Sequence, residues 1–346
     1  MGEDSKIEWC DATFNPVIGC RKVSPACTNC YAEEFARRRL GRPELWREER
    51  HITSASTWNL PEKLDRKAAK EGRRMRLFVS SLSDVFEDHS VWDAEAPASA
   101  PWARSIGVAL RTVALRKLAK LKNIDVLLLT KRPENVLAMV PPEWLRNEHP
   151  AAAEIVGPAW PAHVWVGTTV EDQKRAEERL DHLRRVPAAV RFVSYEPALG
   201  PVDFRPWLGG CLCSVSYEDG VGMHSPTCPA TQPRGVHWVI AGGESGPGAR
   251  PSHPDWFRPV RDQCAWAGVP FLFKQWGEWS PVERFEDRRD GDVWLRYSDG
   301  YRFGPWLPGD AKRQYTNAVV VRRVGKRSAG RLLDGRIHDG YPVGPL

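Results

Sequence analysis

Six short apolar segments recur along this chain of 346 residues, and longer helical patterns lie between them. The segments are residues 76–80, 125–129, 163–167, 191–194, 237–241 and 270–274, and each one leads into a polar or glycine-bearing loop. Strands that alternate with helices in this way build a parallel sheet. We expect an earlier strand before Cys20.

The loops after these strands indicate where a site would lie. Ligands bind at the carboxyl ends of parallel strands, so the repeated pattern predicts an α/β fold, a full or partial (βα) barrel whose rim is the active site. A doubly wound open sheet is the alternative. Helices are predicted over residues 102–121 and 255–267, and Cys264, on the apolar stripe of the second, is read as a core residue.

Two stretches interrupt the alternation and define the expected domains. Residues 1–280 form the barrel domain, in which residues 198–236 are a long cysteine-bearing insertion. Residues 281–346 form a basic C-terminal extension, with a short β-hairpin expected around residues 294–303. Within residues 312–336, eight basic side chains stand against one acidic residue, Asp334. That run suits either phosphate contacts or a solvated surface.

The composition is that of an ordinary globular protein, with 42% apolar and 27% charged residues. We find no run of 18 apolar residues, and the first residues lack the basic start and apolar centre of a secretory signal. A cytoplasmic protein without a membrane partner is therefore expected. The eight cysteines then favour metal binding over disulfides. The net charge of +6 favours no particular partner.

Three cysteines form a compact group, Cys20, Cys27 and Cys30, on a loop that contains proline and glycine. Thiolates are the ligands selected by iron-sulfur clusters and by zinc. Three thiolates on a four-iron cluster would leave one iron open to a substrate or cofactor. Zinc, with Cys10 or a distant histidine as fourth ligand, is the rival reading, and inert thiols are the third.

A family resemblance begins at this loop. The residues Asn15, Pro16, Gly19 and Cys20, followed by residues 27–32, resemble the cluster-binding loop of radical SAM enzymes, particularly the spore photoproduct lyase-like group. Residues 78–84 and 128–132 resemble the second- and third-strand loops of that group, in the same order. The first gap between cysteines is six residues here and three in the usual loop.

The whole chain more closely resembles an uncharacterised family of phage and prophage proteins regarded as radical SAM-like. The matching segments are the cysteine loop and residues 130–133, 167–172, 242–246, 273–279 and 325–331. The resemblance implies that Cys20, Cys27 and Cys30 hold a 4Fe-4S cluster. It also implies that S-adenosylmethionine binds the open iron, and that a 5′-deoxyadenosyl radical then abstracts a hydrogen from the substrate.

The same resemblance guides the choice of further site residues. A Gly-Gly-Glu triplet holds the methionine amino group in many radical SAM enzymes, but here residues 242–244 end a late strand. Ser81 and Asp84 are the candidates for that role instead, and Thr130 and Glu196 are further expected cofactor contacts. Lys131 and Asp84 are the expected catalytic residues. An electron donor such as a flavodoxin or ferredoxin is the implied partner.

A second metal site is predicted within the insertion. Cys211, Cys213, His224 and Cys228 offer three sulfurs and one imidazole, which is the complement of a closed tetrahedral zinc site. Zinc would hold a long polar segment that lacks a core of its own. A flexible loop with incidental cysteines is the alternative reading.

These features together favour a radical SAM-type enzyme of unknown substrate. Nucleic acid is suggested as the substrate by the basic ending, by Trp276 and Trp279, and by the resemblance to phage proteins. The alternative is a non-catalytic, zinc-containing nucleic-acid-binding phage protein. A metal-dependent nuclease or hydrolase is the third hypothesis, disfavoured because the nine histidines are scattered without a metal-ligand spacing.

Overall fold

The computed structural model describes residues 4–93, 109–148, 160–209, 235–282, 287, 289–298, 302–303 and 318–342. Its strands are β1 (Ala12–Phe14), β2 (Val17–Ile18), β3 (His51–Ile52), β4 (Met75–Val79), β5 (Ile124–Thr130), β6 (Val164–Thr169), β7 (Arg191–Tyr195), β8 (Trp238–Gly242), β9 (Phe271–Gln275), β10 (Trp279–Pro281), β11 (Val293–Leu295), β12 (Arg302–Phe303) and β13 (Val319–Arg323).

The helices are mostly short. They are α1 (Tyr31–Phe35), α2 (Ala55–Trp58), α3 (Leu60–Glu71), α4 (Ser90–Asp93), α5 (Leu110–Leu118), α6 (Val136–Met139), α7 (Gln173–Arg184), α8 (Arg205–Leu208), α9 (Pro254–Ala267) and α10 (Lys326–Ala329). A π-helical turn, Ala36–Leu40, continues α1, and 3-10 turns cover Pro25–Cys27, Pro43–Trp46, Pro133–Asn135 and Pro142–Glu148. Within the described ranges, no helix is both long enough and apolar enough to span a bilayer.

The principal sheet has seven strands in the order β1-β4-β5-β6-β7-β8-β9. The pairs β1–β4, β4–β5, β5–β6, β7–β8 and β8–β9 are parallel. All six strands predicted from the sequence are confirmed, and β1 is the expected earlier strand. The fold is therefore mixed α/β, and its strand order is compatible with a partial (βα) barrel.

Burial explains why the strands of the principal sheet could be recognised from the sequence. Six of the seven residues of β5 are buried, and all of β6 and β8 are buried. A parallel strand that is covered on both faces reads as a continuous apolar run. The helix predicted over residues 255–267 is confirmed as α9, with Cys264 fully buried in the core. Helix α5 confirms part of the helix predicted over residues 102–121, of which residues 102–108 lie outside the described residues.

The chain forms two compact units. The first unit comprises residues 1–168 together with 185–191 and 343–346, and the second comprises residues 169–184 together with 192–342. The cysteine loop belongs to the first unit. The glycine-rich loops after β8 and β9 belong to the second.

The C-terminal region of the second unit contains an antiparallel sheet in the order β10-β13-β11-β12. Trp294 pairs with Phe303, which confirms the predicted hairpin. Beyond this sheet the chain returns to β9, where Phe273 N donates to His338 O at 2.9 Å and Gly340 N donates to Phe271 O at 2.9 Å. These contacts satisfy backbone groups of an edge strand that would otherwise be open to pairing.

Candidate metal centre

Asn15 fixes the start of the cysteine loop at the carboxyl end of β1. Its fully buried side chain donates from Nδ2 to Ser81 Oγ at 2.9 Å and accepts from Leu82 N at 2.7 Å. Thr53 Oγ1 donates to the Asn15 carbonyl oxygen at 2.8 Å. One amide side chain therefore joins the loops that follow β1 and β4.

Gly19 brings the next part of the loop against the same neighbour. Its N–H donates to Leu82 O at 2.9 Å, and its φ is +116°. A Cβ at this position would lie 2.5 Å from Leu45 O, so only glycine fits. This close approach fixes the position of the backbone immediately before Cys20.

A buried ion pair between Arg50 and Glu87 supports the cysteine loop. Arg50 donates from Nε to Glu87 Oε2 at 2.8 Å and from Nη2 to Oε1 at 2.6 Å. The exposed fractions of the two side chains are 0% and 2%. Glu87 Oε1 also accepts from Arg21 N at 2.7 Å, so the residue after Cys20 is held by the same carboxylate.

Arg132 connects this ion pair to the cysteine itself. Its Nη1 lies 3.9 Å from Cys20 Sγ and donates to Asp84 Oδ2 at 2.9 Å. Its Nη2 donates to Arg21 O at 2.9 Å and lies 3.6 Å from Glu87 Oε1. Although burial lowers the pKa of Arg132, the neighbouring carboxylates of Asp84 and Glu87 help to raise it overall. Arg132 is therefore a permanent cation beside the sulfur.

Cys27 and Cys30 lie further along the same loop. Cys27 ends the Pro25–Cys27 turn, and its Sγ lies 3.9 Å from Ser24 Oγ. Cys30 immediately precedes α1, and Cys30 and Cys20 both pack against the apolar cluster that includes Ile18 and Leu82. Tyr31 Oη donates to Ser81 O at 2.6 Å and ties this end of the loop to the loop after β4.

The three thiols are free, partly buried and on one loop, so their chemistry fits a thiolate-bound metal. Within the described ranges, no group of three or more His, Cys, Asp or Glu side chains is arranged to hold a metal ion. A metal bound by all three sulfurs would thus require a change in the conformation of this loop. Cys20 is the thiol held by the buried network.

Burial, followed by the carboxylates of Asp84 and Glu87, raises the pKa of Cys20 to about 12, although Arg132 lowers it in part. Burial alone raises the pKa of Cys264 well above its usual value. A thiol has a pKa of about 8.5 in an unfolded chain. Both thiols are therefore protonated in the folded, metal-free protein at neutral pH, and a metal at Cys20 would displace a proton.

These pKa values predict a loss of stability in alkali. Above about pH 9 the unfolded chain releases thiol protons that the folded chain retains, so the free energy of unfolding should fall by up to about 1.4 kcal/mol per pH unit for each thiol. Urea unfolding of metal-free protein between about pH 8 and 10.5 measures this slope. Cys264→Ala should make it shallower, and an unchanged slope would contradict the assignment.

Most predicted cofactor contacts of the first unit are engaged with protein groups. Asp84 accepts from Thr130 Oγ1 at 2.8 Å, from Phe86 N at 3.0 Å and from Lys131 N at 3.1 Å, besides Arg132. Thr130 Oγ1 in turn accepts from Arg132 N at 2.9 Å. Asp84 and Thr130, and likewise Ser81 through Asn15, therefore hold the loops in position. Their assignment to the cofactor stays a prediction.

Lys131 differs from these residues. Its backbone N–H donates to Asp84, but its ammonium group makes no hydrogen bond or ion pair with the described residues. The side chain is half-buried, next to Arg132 on the loop after β5. Lys131 thus offers an uncommitted positive charge near the loop that bears Cys20.

Glu196, the remaining predicted contact, belongs to the second unit, after β7. Its carboxylate accepts from Lys274 Nζ at 2.8 and 2.9 Å and from Gln275 Nε2 at 3.0 Å. Gln275 Nε2 also donates to Ser245 Oγ at 2.9 Å. Strand-end loops of β7, β8 and β9 therefore meet in one polar cluster.

Two glycines allow the loops after β8 and β9 to touch through their backbones. A Cβ at Gly243 would lie 2.0 Å from Trp276 O, and a Cβ at Gly277 would lie 2.1 Å from Glu244 O. Gly277 also has a φ of +82°. Glu244 is held beside this contact by Arg250, which donates to it from Nε at 2.8 Å and from Nη2 at 2.6 Å.

Gly243→Ala should therefore destabilise the protein, because backbone atoms cannot yield as a flexible side chain does. Forced overpacking of this kind costs about 1–3 kcal/mol. Thermal unfolding measures the loss. Gly200→Ala is the matched control, since its Cβ would lie 3.6 Å from Asp172 Cβ, an ordinary contact. Equal stability of the two variants would disprove the close approach.

Two further predictions meet different outcomes. Trp276 and Trp279 are 7% and 8% exposed, and their indole N–H groups donate to Leu332 O and Ala249 O. They are core residues, so the use of these two rings as evidence for nucleic-acid binding was wrong. The predicted zinc ligands Cys211, Cys213, His224 and Cys228 lie outside the described residues.

Sequence reasoning missed Arg50 and Glu87 altogether and treated Asn15 only as part of a motif. A carboxylate three residues after Asp84 carries no signal of its own. The position of Asn15, directly after β1 and before a proline, could have identified a loop anchor.

The fold and this site define an α/β protein with a parallel sheet and a cysteine loop anchored after its first strand. Residues 4–342 match a family model described as "Protein of unknown function (DUF5131)". The chain therefore belongs to the DUF5131 family. No curated protein and no solved structure matches it.

Proposed function

We propose that the protein is a radical SAM-type enzyme in which Cys20, Cys27 and Cys30 hold a 4Fe-4S cluster. The observation that carries this proposal is the position of Cys20 on a loop pinned to the carboxyl ends of β1 and β4, with Arg132 Nη1 3.9 Å from its sulfur. Ligand sites of parallel α/β folds lie at such strand ends. A structural thiol would need neither the anchors nor the buried cation.

The chain's own residues have separate tasks in this proposal. Arg132 offsets negative charge on the Cys20 sulfur, as hydrogen bonds to cluster sulfurs do in general. Asp84 and Glu87 keep Arg132 in place, and Asn15 keeps the loops after β1 and β4 together. The free ammonium of Lys131 is suited to the carboxylate of S-adenosylmethionine. If bound here, a cluster would supply the electron for cleavage of S-adenosylmethionine, with a flavodoxin or ferredoxin as the electron donor.

The substrate in this proposal is an organic molecule that loses a hydrogen atom to the adenosyl fragment. Nucleic acid remains the candidate suggested by the basic ending of the chain. The protein's contribution is to bind and orient the reactants and to exclude water.

Anaerobic purification followed by quantification of iron, sulfide and zinc tests the proposal. The expected result is a brown protein that contains iron and sulfide and forms 5′-deoxyadenosine when it is reduced with S-adenosylmethionine. A colourless protein that contains only zinc and forms no 5′-deoxyadenosine would reject it and favour the zinc-containing nucleic-acid-binding alternative.

A further inference from the structure

The second unit contains an unsatisfied polar atom that the cysteine loop does not explain. Gln275 is 4% exposed, and its Oε1 is buried with no hydrogen-bond partner among the described residues. The amide orientation is fixed, because Nε2 donates to both Glu196 Oε1 and Ser245 Oγ. A flipped amide would set its oxygen against the Glu196 carboxylate. Leaving such an acceptor unpaired in the protein interior is unfavourable.

The neighbours of this oxygen are partly open and polar. The side chains of Glu196 and Lys274 are 17% and 12% exposed, and Ser245 is half-buried. A Cβ at Gly242 would lie 3.4 Å from the Glu196 carboxylate, so the strand end is kept small beside it. The cluster therefore presents one free acceptor, beside a lysine and a carboxylate that already compensate each other.

A basic segment, residues 323–331, is attached to the same loops. Arg323 Nη2 donates to Gly246 O at 2.9 Å, one residue beyond Ser245. Val324 N and Gly325 N both donate to Glu278 O at 3.0 Å, and Trp276 N donates to Gly330 O at 3.1 Å. The segment thus approaches both loops that carry the Gln275 cluster.

Three basic side chains of this segment lie at the protein surface. Arg323, Lys326 and Arg327 are exposed, and Arg327 has no ion pair within the described part of the chain. Two acidic side chains contact it among the described residues: Glu278, whose Oε2 lies 4.0 Å from Arg323, and Asp339, which pairs with Arg331. The local balance therefore favours an anion.

We infer that the second unit binds a phosphate ester that carries a hydroxyl or amine donor, with the donor at Gln275 Oε1 and the phosphate at Arg323 and Arg327. Both parts of the site are needed to select the ligand. An anion without a donor leaves Gln275 Oε1 unsatisfied, and a neutral donor makes no ionic contact with the arginines. The chemistry is shared by free nucleotides, sugar phosphates and the nucleotides of a strand. This inference names a substrate class for the proposed enzyme, but the binding itself does not need the cluster.

Equilibrium dialysis of the full chain tests the site with adenosine 5′-monophosphate, ribose 5-phosphate and a short single-stranded oligonucleotide as alternative probes. Adenosine and inorganic phosphate are the comparison ligands. At least one phosphate ester should bind at least about tenfold more tightly than both comparison ligands. The preferred probe identifies the source of the phosphate ester. Failure of all three probes, or equal binding of inorganic phosphate, would overturn the inference.

Variants locate the binding. Gln275→Leu and Arg327→Glu should each weaken the preferred probe by about tenfold or more, whereas Arg184→Glu, a charge reversal elsewhere on the second unit, should not. Arg327 is exposed, so its variant remains informative if Gln275→Leu fails to fold. Binding that is unchanged by the folded variants would overturn the inference.

A variant with serine at Cys20, Cys27 and Cys30 separates this inference from the proposed function. Phosphate-ester binding should persist in it within about twofold, even if no cluster can form. Loss of binding in a folded triple variant would place the site outside the second unit and overturn the inference. Absence of iron in the wild-type protein, with binding intact, would reject only the proposed function.

Discussion

Under the proposed function, replacing Cys20, Cys27 or Cys30 by serine should abolish iron binding. Changes to residues that only orient a metal ligand typically cost about 10–100-fold in metal affinity, so loss of a ligand should cost more. Each single variant should therefore retain only a small fraction of the wild-type iron and sulfide. Anaerobic metal analysis and the visible absorption of the purified variants measure this effect.

Cys264→Ser is the control for these variants, because Cys264 is fully buried in α9 and packs in the core of the second unit. It should lower stability and leave the iron content per folded chain unchanged. Iron loss in Cys264→Ser equal to that of Cys20→Ser would show that the three ligands were wrongly chosen. Retention of iron by all three loop variants would have the same meaning.

Glu87→Ala should strongly destabilise the first unit. It removes the carboxylate that neutralises Arg50, whose side chain is 0% exposed, and breaking one side of a buried pair costs about 3–5 kcal/mol. It also frees Arg21 N, next to Cys20. The midpoint of urea unfolding should fall accordingly, with the slope of the transition unchanged.

Glu34→Ala is the matched control, since Glu34 also pairs with two arginines but lies on the surface. Its bonds to Arg37 and Arg38 are screened by solvent and should contribute little to the free energy of unfolding. The double variant Arg50→Leu with Glu87→Leu should recover much of the loss, because it leaves no unpaired buried charge. Equal effects of Glu87→Ala and Glu34→Ala would refute the role of the buried pair.

The parallel sheet was predictable because its strands are buried on both faces and so leave uninterrupted apolar runs. The short strand β1, with only three residues, left no such run, and its existence was expected only from the position of the loop that follows it. The end of the chain was predicted as an appended segment. Its return to β9 through His338 and Gly340 depends on backbone pairing, which has no compositional signature.

The site was predictable only as a list of polar strand-end residues. Position along the chain identified Asp84 and Glu196. It does not show which of their carboxylate oxygens already accept hydrogen bonds from the protein. The decisive contacts join residues far apart in sequence: Arg50 and Glu87 are separated by 37 positions, and Cys20 and Arg132 by 112. Such contacts are set by packing of the whole unit, which no local motif records.

The anchoring of the cysteine loop has a consequence for protein engineering. Gly19 lies against Leu45, and the backbone of Arg21 is hydrogen-bonded to Glu87 and Arg132, whereas residues 22, 23 and 25 are exposed. We therefore expect residues inserted or deleted between Lys22 and Pro25 to leave the buried network intact, while the same change beside Gly19 would displace it. A library of loops with altered spacing between the first two cysteines could be screened on an otherwise unaltered scaffold.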